Sequence, residues 1–196
     1  MIKRWIINII DKSESMSFLK NTVIKEYNVF LRDIKSDPHD IRWTTILFNN
    51  NIDFIHDDSV KNINELQDGD YKPEKGTALL DAIGKACIKI VDNSVQYNDI
   101  VMNIFTDGNE NCSFSYTYSS VNDLLNSVKN KYSFVTNFYC TTEESLNITN
   151  KLPSIDTTYV NSFNGCMRQM SSNSINYQTH TFLQDSFPQI KKQKRT

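Results

Sequence analysis

The chain has 196 residues, of which 39% are hydrophobic and 22% are charged, and its formal net charge is −2. This length and composition predict a single globular domain and exclude wholesale disorder. The small negative charge argues against nucleic-acid binding, and no apolar run reaches the roughly 18 residues that a membrane span needs.

Apolar patterning predicts alternating strands and helices in the first part of the chain. The run WIINII at the N-terminus is typical of a strand buried on both faces. Apolar residues then recur at helical spacing from Met16 to Ile34. A second strand is predicted from Arg42 to Phe48. The turn Asn-Asn-Asn leads from it into an antiparallel partner at Asp53 to His56.

The same alternation continues through the second part of the chain. In order, the predicted elements are a helix around 79–90, strand DIVMNIF, a helix around 121–128, strand FVTNFYC, short helix EESLNITNKL, strand TTYVNSF and a closing helix at 165–177. This order implies a mostly parallel sheet with helices on both faces and an antiparallel edge. We assign residues 1–180 to one domain and residues 181–196 to a partly disordered C-terminal tail.

The cysteines match neither a disulfide framework nor a zinc site. They are Cys87, Cys112, Cys140 and Cys166. Their wide spacing, without a CxxC pair, favours reduced thiols. The basic residues before WIINII resemble the start of a signal peptide, but Asp11 follows with no cleavage pattern. We therefore expect a cytoplasmic protein.

Polar side chains follow two predicted strands where each strand ends. Asp11, with Ser13 and Ser15, follows WIINII, and Asp107 follows DIVMNIF. Ligands of such sheets bind beyond the carboxyl ends of the strands. Together with Thr77, these residues supply two carboxylates and three hydroxyls, an all-oxygen set that suits Mg²⁺. Three neutral hydroxyls leave the ion able to accept another carboxylate, and we see no catalytic base. The set therefore predicts binding of a partner rather than catalysis.

The segments DKSES, GTALLDAIG and FTDGNEN resemble the von Willebrand factor A (vWA) family and its metal-ion-dependent adhesion site (MIDAS). The similarity extends over about residues 1–177 and is strongest to the intracellular bacterial and phage branch. It implies a Rossmann-like three-layer α/β sandwich with a six-stranded sheet. The implied strand order is 3-2-1-4-5-6, and the third strand is antiparallel.

The resemblance also implies a role for each site residue. Ser13, Ser15 and Thr77 would contact Mg²⁺ directly, and Mn²⁺ or Ca²⁺ are possible substitutes. Asp11 and Asp107 would act through water or hydrogen bonds. A partner protein would supply a Glu or Asp ligand to the metal.

Alternative interpretations of this motif stay open. Glu14 stands where the family usually has Gly, and it either points to solvent or adds negative charge beside the ion. Ser13 and Ser15 can instead cap the first helix. The chain could also be a Mg²⁺-dependent phosphohydrolase with Asp11 as nucleophile, although Ser13 stands where such an enzyme wants a second carboxylate. A structural scaffold with a vestigial metal site is the third possibility.

Nearby residues have two interpretations as well. Asp81 either supports the site or is an ordinary exposed or capping carboxylate. Tyr116 and Tyr118 either anchor a partner or pack against the core. Gly76 and Gly108 are expected to serve backbone geometry, since glycine permits turns that other residues resist.

Overall fold

The computed structural model describes residues 3–93, 97, 99–107, 110–140 and 143–160. The strands are β1 (Lys3–Asp11), β2 (Asp40–Phe48), β3 (Ile52–Ser59), β4 (Asp99–Thr106), β5 (Ser133–Cys140) and β6 (Thr157–Val160). The α-helices are α1 (Lys20–Lys35), α2 (Leu79–Asn93), α3 (Tyr118–Lys131) and α4 (Glu143–Lys151). Short 3₁₀ helices span Glu14–Leu19 and Val60–Asn62. The predicted closing helix at 165–177 and the tail lie outside the described residues.

The described strands form one mixed sheet in the order β3-β2-β1-β4-β5-β6. Neighbouring strands are parallel except for β3, which pairs antiparallel with β2. The predicted α/β fold, with a mostly parallel sheet and an antiparallel edge, is confirmed. Because β1 lies between β2 and β4, its carboxyl end lies where the strand order reverses.

Helices cover both faces of the sheet, which explains the uninterrupted apolar run of β1. Trp5, Ile7 and Ile9 pack in a cluster with α2 and α3, whereas Ile6 and Ile10 pack in a second cluster with α1. Each fully buried side chain of this size contributes roughly 1.5–3 kcal/mol. None of the helices in the described part of the chain is long and apolar enough to span a membrane.

A row of buried asparagines crosses the middle of the sheet. Asn103 Nδ2 donates to Asn8 Oδ1 (3.1 Å), and Asn137 Nδ2 donates to Asn103 Oδ1 (3.2 Å). The three residues are register partners on β1, β4 and β5. A one-residue slip would leave these buried amides unpaired, so the row favours this register. In this register the ends of β1 and β4 lie side by side.

The first helix begins later than its apolar pattern predicts. Residues Glu14–Leu19 form a 3₁₀ helix, and α1 begins at Lys20. The Ser17 hydroxyl donates to the Glu14 carbonyl at 2.6 Å. Serine hydroxyls that bond nearby backbone groups compete with α-helical bonding, which accounts for the tighter first turn.

Candidate metal centre

Asp11 is the last residue of β1, and its side chain is fully buried. Oδ1 accepts a hydrogen bond from the Ser13 amide (2.7 Å), and Oδ2 accepts one from the Thr106 hydroxyl (2.5 Å). Burial outweighs these bonds and, with a smaller contribution from the charge of Asp107, raises the pKa of Asp11 from 3.8 to about 6. A nearby cation would favour the ionised form of this carboxylate.

A chain of hydroxyls connects this end of β1 to the end of β4. Ser13 Oγ lies 3.1 Å from Ser15 Oγ, and Ser15 Oγ donates to Asp107 Oδ1 at 2.8 Å. Ser13 is the N-cap residue of the 3₁₀ helix, yet its side chain makes no capping hydrogen bond. The capping interpretation is therefore wrong for Ser13. Its hydroxyl faces the other polar groups of the cluster instead.

Asp107 follows β4 directly and is half-buried. Burial raises its pKa, and the hydrogen bond from Ser15 opposes the shift only in part. Tyr71, which is fully buried, also has a raised pKa because of burial and of the charges of Asp11 and Asp107. The two carboxylates thus create a region of negative potential at the carboxyl edge of the sheet.

Thr77 lies on the segment before α2 and is 3% exposed. Its amide donates to Asn111 Oδ1 (2.9 Å), and its carbonyl accepts from the Asn111 amide (3.1 Å). Among the described residues, its hydroxyl makes no hydrogen bond. A hydroxyl without a protein partner is available for another ligand.

The segment that carries Thr77 is attached to the end of β1 by hydrogen bonds. They run from the Tyr71 hydroxyl to the Asp11 carbonyl (2.5 Å), from the Glu74 amide to the Lys12 carbonyl (3.0 Å) and from the Glu14 amide to the Lys75 carbonyl (3.1 Å). These bonds hold the Thr77 segment against the DKSES segment. Tyr71 was not identified from the sequence, because nothing in the local pattern distinguishes it from a core tyrosine.

The turn before Thr77 corrects the expected role of Gly76. Lys75 has a φ of 65°, whereas no glycine among the described residues has a positive φ. Gly76 is needed for space, since a Cβ there would lie 2.9 Å from Asn111 Oδ1 and 3.0 Å from Cys112 Sγ. Its small size allows the Asn111 loop to approach Thr77. Gly108 lies outside the described residues.

Asp81 organises the loop that follows Asp107. Its Oδ1 accepts from the amides of Ser115 and Tyr116 (both 2.9 Å), and its Oδ2 accepts from the amide of Phe114 (3.0 Å). The side chain is 7% exposed, so the interpretation as an ordinary exposed carboxylate is wrong. Asp81 supports the loop at this edge of the sheet.

Glu110 has a similar role that sequence reasoning missed. Its Oε1 accepts from the amides of Cys112 (3.1 Å) and Ser113 (2.7 Å). Its Oε2 accepts from the Leu80 amide (2.9 Å) at the first turn of α2 and from the Ser113 hydroxyl (2.7 Å). A carboxylate at a helix N-terminus is stabilised by the unpaired amides there. A Glu in a loop far from α2 along the chain gives no sequence signal of this contact.

Tyr116 and Tyr118 pack against the core rather than into solvent. Both are half-buried against the hydrophobic cluster on the α2 and α3 face. The fit around Tyr116 is tight, since a Cβ on Gly84 would lie 2.6 Å from its ring. The Lys151 ammonium lies 4.9 Å from the centre of the Tyr118 ring. Of the two interpretations, core packing is confirmed.

The predicted site residues therefore meet at one edge of the sheet. Asp11, Ser13, Ser15 and Asp107 form a connected chain of hydrogen bonds, and Thr77 lies on the segment attached beside it. No group of three or more His, Cys, Asp or Glu side chains suited to a metal occurs in the described ranges. A cation here would depend on the hydroxyls as well as the two carboxylates. Such an oxygen set suits a hard ion such as Mg²⁺.

Several solved structures similar to this one are named as vWA domains. They include a von Willebrand factor type A protein from Catenulispora acidiphila, at a TM-score of 0.68 and 12% identity. The pilus adhesin SpaC from Lactobacillus rhamnosus GG superposes at a TM-score of 0.67 and 11% identity. The vWF domain of the type V pili tip protein Mfa5 from Porphyromonas gingivalis superposes at a TM-score of 0.66 and 9% identity.

These similarities establish the fold of the chain. The matches cover 89%, 90% and 90% of this chain, respectively. They cover 43% of the Catenulispora chain, 30% of the SpaC chain and 96% of the Mfa5 domain. No family model matches the chain, and no curated protein matches it by sequence. The chain thus has the fold of a vWA domain, the class to which the Mfa5 domain belongs.

Proposed function

We propose that this domain is a Mg²⁺-dependent protein–protein interaction module, which binds an acidic residue of its partner through a MIDAS. One observation carries the proposal. The hydrogen-bonded chain Asp11–Ser13–Ser15–Asp107 contains two carboxylates whose pKa values are raised by burial. A divalent cation bound there would compensate the charges of these two carboxylates.

The residues present fit the ion in number and chemistry. Ser13, Ser15 and Thr77 would hold Mg²⁺ through their hydroxyls, and Asp11 and Asp107 would orient those hydroxyls or bound water. When bound, the ion would supply a positive charge able to accept a carboxylate from the partner. The Glu14 side chain is exposed, which supports the interpretation that it points to solvent.

The geometry favours binding over phosphate-ester hydrolysis. Asp11 is fully buried, and both of its carboxylate oxygens already accept hydrogen bonds. A nucleophile must reach its substrate, and this carboxylate has no free approach. The alternative is tested with a generic phosphate ester and Mg²⁺. Sustained turnover that disappears in Asp11→Asn would favour the phosphohydrolase.

Two further observations support the kind of partner and the location. SpaC and Mfa5 are named as a pilus adhesin and a pilus tip protein, which agrees with an adhesive use of this fold. Cys87, Cys112 and Cys140 are free thiols. Free thiols are typical of a reducing compartment, so we propose a cytoplasmic protein within the intracellular branch of the family.

The proposal is tested by affinity capture from a lysate of the source organism, with Mg²⁺ or with EDTA. The bait is the wild-type chain, Thr77→Ala or Ser119→Ala. Ser119→Ala serves as the matched control because it removes one hydroxyl from an exposed position on α3. We expect a partner that is retained only in Mg²⁺, by the wild type and by Ser119→Ala.

A partner retained equally by all baits and in EDTA would contradict metal-mediated adhesion. It would show that another surface binds and that the DKSES segment has an architectural role. Chain folding is checked for each bait by circular dichroism, so that loss of capture is attributable to the missing hydroxyl.

A further inference from the structure

Two phenylalanines lie almost completely in solvent on the segments that build the candidate metal centre. Phe18 is 99% exposed and Phe114 is 97% exposed. The other large hydrophobic residues found exposed in the described part of the chain, Phe54 and Ile88, are each only 40% exposed. Exposed aromatic rings lose the stabilisation that burial would give, and grouped ones are typical of interaction sites.

Phe18 is placed beside the site by the 3₁₀ helix. Ser15 and Phe18 are three residues apart in Glu14–Leu19, and side chains at this spacing lie on the same face of a 3₁₀ helix. Three residues advance the helix by only about 6 Å. The Ser15 hydroxyl donates to Asp107 at 2.8 Å. The Phe18 side chain is therefore attached to the backbone about one helical turn from the contact between Ser15 and Asp107.

Phe114 is placed by the loop that Asp81 and Glu110 hold in position. The Phe114 amide donates to Asp81 Oδ2 at 3.0 Å, and the neighbouring Ser113 and Ser115 amides donate to Glu110 and Asp81. The backbone at Phe114 is therefore fixed on both sides while its ring contacts solvent. The same loop contains Asn111, which holds Thr77.

A fixed backbone with an exposed ring is suited to binding. The conformational entropy of the loop is already lost in the free protein, so little more is lost when the ring is buried by a partner. Aromatic rings at such positions are frequent among the few residues that dominate the affinity of an interface.

We propose that Phe18 and Phe114 form an apolar rim beside the candidate metal centre. The occupant is a protein segment in which an acidic residue is flanked by apolar residues. The acidic side chain would reach the metal, and the apolar neighbours would cover the rings. This inference rests on the proposed function, since the position of the acidic residue is defined by the metal.

The experiment selects binders from a displayed library of random peptides on the immobilised full chain in Mg²⁺. The targets are the wild type, Phe114→Ser, Phe18→Ser, Thr77→Ala and Ile88→Ser. Ile88→Ser is the matched control, since it removes an exposed apolar side chain from α2. Both phenylalanine variants are expected to fold normally, because their rings pack against almost nothing.

On the wild type and Ile88→Ser, we expect enrichment of an acidic residue with apolar residues beside it. On Phe114→Ser and Phe18→Ser, the acidic residue should persist while the apolar enrichment weakens. A selected wild-type binder should lose affinity for Phe114→Ser by about tenfold.

The two proposals fail in different ways. Acidic enrichment without apolar neighbours, or apolar enrichment that is unchanged in both phenylalanine variants, would overturn the apolar rim and leave the metal site standing. Apolar enrichment without an acidic residue, or binding unaffected by EDTA and by Thr77→Ala, would overturn the proposed function itself. Failure to enrich any sequence would contradict both.

Discussion

Two pairs of carboxylates lie at the carboxyl edge of the sheet and differ in what surrounds them. Asp81 and Glu110 together accept hydrogen bonds from six backbone amides and one hydroxyl. Asp11 accepts from one amide and one hydroxyl in a fully buried position, and its pKa is raised to about 6. The pKa of Asp107 is raised as well.

This difference separates a structural role from a binding role. Amides that surround a carboxylate neutralise it locally and also gain a hydrogen-bond acceptor. The loop from Glu110 to Tyr116 is therefore held in place by Glu110 and by Asp81 of α2. A buried carboxylate with few donors stays poorly compensated, and a cation is the natural complement.

Asp81→Ala is expected to cost about 4 kcal/mol of unfolding free energy, because three amides lose a charged acceptor. The effect should be the same in Mg²⁺ and in EDTA. Urea denaturation checks it, with Asp92→Ala at the exposed end of α2 as the control. A loss below about 1 kcal/mol would show that the loop does not depend on this carboxylate.

Asp11→Asn is expected to stabilise the metal-free protein by up to about 3 kcal/mol above about pH 6, since one pKa unit corresponds to about 1.36 kcal/mol. The folded-state pKa of Asp11 is raised above 3.8 to about 6. The stabilising contribution of the protonated acid is therefore fully present below about pH 4 and is lost as the pH rises through about 6. The gain from Asn should accordingly vanish below about pH 4.

The measurement for Asp11→Asn is urea denaturation in EDTA across this pH range. The quantity compared is the difference between variant and wild type. This choice matters because burial also lowers the pKa of His56, which reduces the stability of both proteins as the pH falls. A difference that does not change with pH would contradict the raised pKa of Asp11.

Gly84→Ala is expected to cost about 2 kcal/mol, because the new Cβ would overlap the ring of Tyr116. That ring lies 2.6 Å from the position of the added carbon. Gly69→Ala is the control, since nothing lies within 4 Å of a Cβ there. If Gly84→Ala were as stable as Gly69→Ala, the ring of Tyr116 would be able to shift away from the added carbon at little cost.

Mg²⁺ is expected to have the smallest effect on stability. At ten times its dissociation constant it should stabilise the wild type by about 1.4 kcal/mol. Thr77→Ala should lose most of this gain, whereas Asp81→Ala, although less stable, should retain it as long as it folds. Thermal denaturation with and without Mg²⁺ checks both. If Mg²⁺ stabilised Thr77→Ala as much as the wild type, the ion would have to bind at another site.

Much of this arrangement could be predicted from the sequence because it depends on local pattern. The apolar run of β1 and the helical spacing of α2 indicate the alternation of strands and helices. The residues Asp11, Ser13 and Ser15 lie at a spacing that the sequence itself displays. The end of a buried strand similarly marks Asp107 as a residue at the sheet edge.

The rest depends on contacts between distant segments, which no local pattern reveals. Tyr71 reaches the Asp11 carbonyl from 60 residues away, and Glu110 reaches the Leu80 amide from 30 residues away. Asp81 looks like a helix-surface residue until the loop that it holds is in place. The pairing of Asn111 with Thr77 likewise depends on the close approach that Gly76 allows.

The central claim, that a divalent cation binds between DKSES, Thr77 and Asp107, is tested most directly with Mn²⁺ as a paramagnetic substitute for Mg²⁺. Amide signals of the labelled protein are followed by NMR while Mn²⁺ is added. If the ion binds there, the signals of Ser13, Ser15 and Thr77 should broaden first, and Thr77→Ala should reduce the broadening. Broadening that begins instead at the amides of Glu65 and Asp70, which line a separate cavity beside His56, would contradict this claim.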